Sequence, residues 1–134
     1  KMITAAMAAA QIIKTKIIGV SVLTSLNEED ASALFQSSIS DQVAKLFKLA
    51  NETGIDGIVC SPLELDLAKN ILSPEILKIT PGIRDIVVSD DQSRTMTANE
   101  AISHGASYLV IGRPISKASN ISEALKYFNQ SADE

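Results

Sequence analysis

Ile17-Ile18-Gly19-Val20-Ser21-Val22-Leu23-Thr24-Ser25 is the stretch on which the reading of the fold turns. Its first seven residues are apolar or small and rich in branched side chains, as suits a parallel strand covered on both faces. The residues after it decide between two architectures. An open, doubly wound sheet usually carries a glycine-rich turn after its first strand, leading into a helix that holds phosphate. Here the run passes into Leu23-Thr24-Ser25-Leu26, with no glycine pattern. The alternative is part of an eight-stranded barrel, in which functional loops gather after every strand at one end.

On either side of this stretch, the rest of the chain favours the barrel. Upstream, Ile3, Ala6, Met7, Ala10 and Ile13 recur at helical spacing. The Ala/Met-rich start has neither an initiator Met at position 1 nor the apolar core of a signal peptide. It reads like the middle of a helix, so the expectation is that the chain begins inside a larger protein. Downstream comes a polar stretch, 27–37, and then a long helix marked by Ile39, Val43, Leu46, Phe47 and Ala50, stopped by Gly54. Gly57-Ile58-Val59-Cys60 reads as a strand. Ser61-Pro62-Leu63-Glu64 is a capping box that opens a helix lined by Leu67, Ala68, Ile71 and Leu72. Leu77-Lys78-Ile79-Thr80 is the third strand, broken by Pro81-Gly82, and residues 83–96 read as a long loop. Thr97-Ala98-Asn99-Glu100 is a second capping box, for a short helix ending near His104-Gly105. Tyr108-Leu109-Val110-Ile111 is the last strand, stopped by Gly112. Ile121, Ala124, Leu125 and Phe128 mark the final helix, with a polar, frayed tail expected at 131–134.

The order is one helix and then four strand–helix units. Alternation of this kind implies an α/β fold with a parallel sheet. Four strands cannot close a barrel, so a lone chain of this kind would leave both sheet edges open.

Composition narrows the function classes. The 134 residues are enough for one core, and 46% are hydrophobic. A net charge of −4 argues against a sequence-independent nucleic-acid binder, which needs a basic stripe. It leaves room for a small phosphorylated ligand, which one arginine can hold. No apolar run approaches the roughly 20 residues of a membrane span. The single cysteine, Cys60, cannot form an intrachain disulfide and suits a reducing cytoplasm. It reads as a buried structural thiol. No His/Cys/carboxylate grouping has metal-ligand spacing.

Three segments carry chemistry. At Gly112-Arg113-Pro114-Ile115, glycine lets an anion approach the backbone and arginine can bind two phosphate oxygens at once. Thr80-Pro81-Gly82-Ile83-Arg84 opens a long loop that continues through Asp90-Asp91-Gln92-Ser93-Arg94. That loop could fold over a ligand, or form an ordinary salt-bridged surface. Thr24-Ser25 offers hydroxyls, although a turn cap accounts for them equally well. Asp56 sits at the opposite end of the strands and reads as a turn residue, and His104 reads as a partner for its own helix's carboxyl end.

Taken together, these segments resemble the orotidine 5′-phosphate decarboxylases. Val22-Leu23-Thr24-Ser25 is similar to the family's fifth strand, and Gly54-Ile55-Asp56-Gly57-Ile58-Val59-Cys60-Ser61 to its sixth. Thr80-Pro81-Gly82-Ile83-Arg84 with Asp91-Gln92-Ser93-Arg94 resembles the seventh strand and phosphate lid. Tyr108-Leu109-Val110-Ile111-Gly112-Arg113-Pro114-Ile115 resembles the eighth. The likeness runs over essentially the whole chain, in order. It implies a TIM (β/α)8 barrel, of which residues 1–134 are the carboxyl-terminal half, a half-barrel of four units preceded by a helix. It also implies roles: Thr24 on the pyrimidine side, Pro81 as a wall near the base, Arg84 at the start of the lid, Gln92 reaching from the lid to the phosphate, and Gly112 with Arg113 gripping the phosphate. The implied reaction converts orotidine monophosphate to uridine monophosphate and CO2 without metal or organic cofactor, in a cytoplasmic homodimer.

The family's Asp-x-Lys-x-x-Asp catalytic motif is absent, because Lys1 corresponds to a point beyond it. No catalytic residue is therefore expected in this chain, and the fragment alone should be inactive. Two other readings stay open on the residues. One is another phosphate-binding barrel enzyme, a sugar-phosphate decarboxylase or epimerase, which would be expected to show a metal ligand set. The other is a non-catalytic half-barrel that binds phosphates or a partner chain.

Overall fold

A computed structural model describes residues 1–84 and 95–133. Helix α1 (Met2–Ile13) precedes β1 (Ile18–Val20), α2 (Glu28–Phe35), α3 (Ile39–Thr53) and β2 (Gly57–Val59). A 3-10 turn (Pro62–Glu64) leads into α4 (Leu65–Ile71), followed by β3 (Leu77–Thr80), α5 (Ala98–Ser103), β4 (Tyr108–Leu109), α6 (Arg113–Ser116) and α7 (Ile121–Asp133).

The strands form one sheet in the order β1-β2-β3-β4, with every neighbouring pair parallel. This order decides the architecture. A doubly wound sheet reverses at a switch point and carries helices on both faces. Strands that advance in one direction, joined by crossovers of one hand, put their helices on one face. Burial follows that rule. Ile58, Cys60 and Thr80 are buried, the first two in one core with Val43, Phe47, Ala50, Leu65, Ala68, Ala101 and Phe128 from the helices. The register places Val20, Val59, Ile79 and Tyr108 side by side on the other face. There Val20 is 58% and Tyr108 60% exposed.

Cover on both faces, as expected from the apolar strands, is thus met on one face only within this chain. The apolar pattern encodes the cover that a closed barrel gives its inner face, and four strands cannot curl far enough to bury that face against one another. Gly57 suits the inner face. A Cβ there would stand 2.7 Å from Ile18 Cδ1 and 3.1 Å from Leu77 Cβ, so only glycine lets these neighbours close up.

Several local expectations change. The stretch 27–37, read as a polar connection, contains α2. Asn27 accepts the Asp30 N–H and Asp30 accepts the Asn27 N–H, closing a capping box. Glu28, Glu29 and Asp30 sit in the first turn, where the helix dipole favours negative charge. The Ser61 box forms as read, but it opens the 3-10 turn before α4. The Thr97 box opens α5 as read. Residues 131–133 are helical instead of frayed. His104 reaches across to α4, its Nδ1 2.9 Å from Asp66 Oδ1. Asp56 does more than turn the chain: its carboxylate accepts the Ile17 N–H at 2.7 Å, tying the amino ends of β1 and β2.

Candidate functional site

Parallel strands send all their following loops to one end of the sheet, and Thr24, Arg84, Gly112 and Arg113 lie there. After β3, Ile83 is fully buried and bridges Met96. The Arg84 N–H donates to the Met96 carbonyl (3.1 Å) and the Met96 N–H to the Gly82 carbonyl (3.2 Å). Gly82 sits at φ 81°, a left-handed conformation that glycine adopts without strain. The two ends of the long loop are therefore joined in a paired neck. Arg84 is half-buried above it, with Nη1 donating to the Ile83 carbonyl at 3.0 Å. Gln92 and the rest of 85–94 lie outside the described residues.

After β4, the ladder continues as the Val110 N–H donates to the Thr80 carbonyl at 2.9 Å. Gly112 then caps the short helix α6, whose Ile115 and Ser116 N–H groups donate to its carbonyl. Among the described residues nothing lies within 4 Å of where a Gly112 Cβ would be, so ligand atoms can come close to the backbone. Arg113 is half-buried at the first position of α6. After β1, Thr24 stands half-buried in a turn closed by the Leu26 N–H to the Leu23 carbonyl.

The topology brings Arg84 next to Gly112 and Arg113, because β3 and β4 are neighbours. It does not bring Thr24 beside them: Thr24 follows the opposite edge strand, with β2 between it and Arg84, and β2 and β3 between it and Gly112. One residue at this end was read from the sequence only as a helix cap. Glu64 is 5% exposed, and its Oε2 accepts both the Ser61 N–H (3.0 Å) and the Ser21 hydroxyl (3.4 Å). The local cap was legible, but the bond to β1's end spans 43 positions and left no local signal.

Cys60 is buried as expected, and burial pushes its thiol up to about 11. A thiol so protonated and enclosed is a poor nucleophile. A disulfide reagent at pH 8 should therefore leave the native chain unlabelled and label it fully once unfolded in denaturant. Prompt labelling of the native chain would refute the placement. Among the described residues, no three His, Cys, Asp or Glu side chains are grouped to hold a metal ion, and no helix is long and apolar enough to cross a membrane.

Known proteins resemble this chain in sequence and fold. The family model described as orotidine 5′-phosphate decarboxylase / HUMPS family matches residues 1–128. An orotidine 5′-phosphate decarboxylase of Wolbachia pipientis is 46% identical over 121 residues, 90% of this chain and 54% of that protein. One from Dictyoglomus thermophilum is 45% identical over 113 residues, 82% of this chain and 46% of that protein. The crystal structure of orotidine 5′-phosphate decarboxylase from Lactobacillus acidophilus superposes with a TM-score of 0.72 at 32% identity, covering 89% of this chain and 50% of that one. The Pyrococcus horikoshii enzyme, at 22% identity, shares the fold with a TM-score of 0.69. The chain spans about half the length of the curated relatives it matches. With the matched segments in order on a sequential parallel sheet, and the family model covering nearly all of it, the chain belongs to the orotidine 5′-phosphate decarboxylase / HUMPS family.

Proposed function

We propose that the complete protein decarboxylates orotidine monophosphate to uridine monophosphate, and that this chain is the carboxyl-terminal half of its single barrel domain. The observation that carries the reading is the 46% identity over 121 residues to a relative of that name. In this reading the chain binds and orients. Gly112 presents backbone and Arg113 its guanidinium to the phosphate. Arg84 borders the same ligand from the neighbouring strand end, with Gln92 reaching in from the loop between them, and Thr24 faces the pyrimidine. The bond-breaking lysine and aspartates lie upstream of Lys1, and the reaction uses no metal or organic cofactor. The remote phosphate contributes because binding energy realised in the transition state lowers the barrier even far from the reacting carbon. The complete enzyme works as a cytoplasmic homodimer, apart from membranes and nucleic acid. The acidic balance supports the last point.

Ligand protection tests this reading directly. A ligand that binds only the native state at about 100 times its Kd adds roughly 2.7 kcal/mol of stability. Uridine monophosphate should therefore raise the Tm of the complete protein by several degrees, and a pentose phosphate at equal concentration should raise it far less. Equal protection by the pentose phosphate would favour a sugar-phosphate enzyme instead.

A further inference from the structure

Glu64 stands behind the turn that carries Thr24. A recess of about 470 Å3 opens against the segment after Thr24, lined by Leu26, Asn27, Ile39, Leu63, Glu64 and Leu67. Among the described residues, the far end of the turn at Leu26 borders this open space, and bonds at the base of the turn tie it to the sheet. Two of these reach the second strand–helix unit. The Ser21 N–H donates to the Val59 carbonyl at 3.0 Å, and the Ser21 hydroxyl donates to Glu64 Oε2 at 3.4 Å. Glu64 is in turn fixed by the Ser61 N–H at 3.0 Å. A carboxyl group this buried is tolerated only when hydrogen-bonded. The same oxygen thus locks the ends of β1 and β2 together, three residues before Thr24.

We propose that Glu64 is a positioning residue for the base side of the nucleotide site, acting through Ser21 to hold the Thr24 turn in place. Gly112 and Arg113 follow β4, three strands along from the Ser21 end of β1, so the bond through Ser21 bears on the base side. The inference rests on the reading of Thr24 as the base-side contact.

Calorimetric titration of the complete protein with uridine monophosphate and with ribose 5-phosphate separates the two sides. Glu64→Ala should weaken uridine monophosphate binding about tenfold, clearly more than it weakens ribose 5-phosphate binding. Glu64→Gln, which restores an acceptor oxygen, should recover most of the lost affinity. Ser21→Ala should show the same selectivity with a smaller loss, and the double variant Ser21→Ala/Glu64→Ala should be no worse than Glu64→Ala alone. If Glu64→Ala fails to fold, Ser21→Ala decides, because it leaves the Ser61 cap intact. Equal weakening of both ligands, or unchanged uridine monophosphate binding in Ser21→Ala, overturns the proposal. Failure of the underlying reading looks different: the unsubstituted protein would then show no preference for uridine monophosphate over ribose 5-phosphate, which removes this inference as well.

Discussion

Arg113→Ala in the complete enzyme is expected to lower kcat/KM by two or more decades, about 3 kcal/mol of barrier. Arg113 opens α6 directly after Gly112, where the backbone is open to ligand atoms. A guanidinium there can form two parallel bonds to phosphate oxygens, a geometry that alanine cannot replace. Arg113→Lys keeps the charge and loses the fork, so it should fall between the two. The loss should appear in kcat as well as KM, because phosphate binding energy is realised partly in the transition state. Steady-state kinetics on the two variants checks this. Catalytic efficiency within about threefold of the parent for Arg113→Ala would mean that phosphate is held elsewhere.

Phe47→Ala should cost about 3–5 kcal/mol of folding stability. Phe47 lies on α3, is fully buried, and shares the core with Val43, Ala50, Ile58 and Leu65. Removing the ring loses its transfer energy and leaves a cavity among side chains from helix and sheet that cannot all follow it inward. Against a typical net stability of about 5–15 kcal/mol, that would leave a domain close to its unfolding threshold. Urea denaturation of the parent and variant gives the difference. Leu49, on the same helix and 42% exposed, supplies the control. A loss under about 1 kcal/mol for Phe47→Ala would place the core elsewhere.

What could be read from the sequence was what is encoded locally. Ser61 with Glu64 and Thr97 with Glu100 are boxes three residues wide, and both form as read. The Asn27 box was missed because Asp30 takes the place of the usual Glu, and because Ala31 is the one fully buried residue on a short, acidic helix. Helix α6 is four residues long with a proline inside, too short to show any period. The run that starts at Ile17 announced a strand but not its extent. Only Ile18–Val20 form the ladder, and the chain then leaves the sheet to make the Leu23–Leu26 turn. Exposure of Val20 and Tyr108 could not be read at all, since side-chain pattern records the intended cover and says nothing of which chain supplies it. Among the candidate site residues, Arg84, Gly112 and Arg113 were singled out by motif, while Glu64's reach to Ser21 depends on the sheet bringing distant positions together.

The bridge between Ile83 and Met96 also bears on how this region can diverge. The ends of the connection are already paired, through the Gly82 and Met96 backbones, and anchored by a buried isoleucine. Closing a longer connection from this paired neck would cost little, about 0.6 kcal/mol for each doubling of length. A change in its length should therefore leave the paired neck, and with it β3 and α5, as they are.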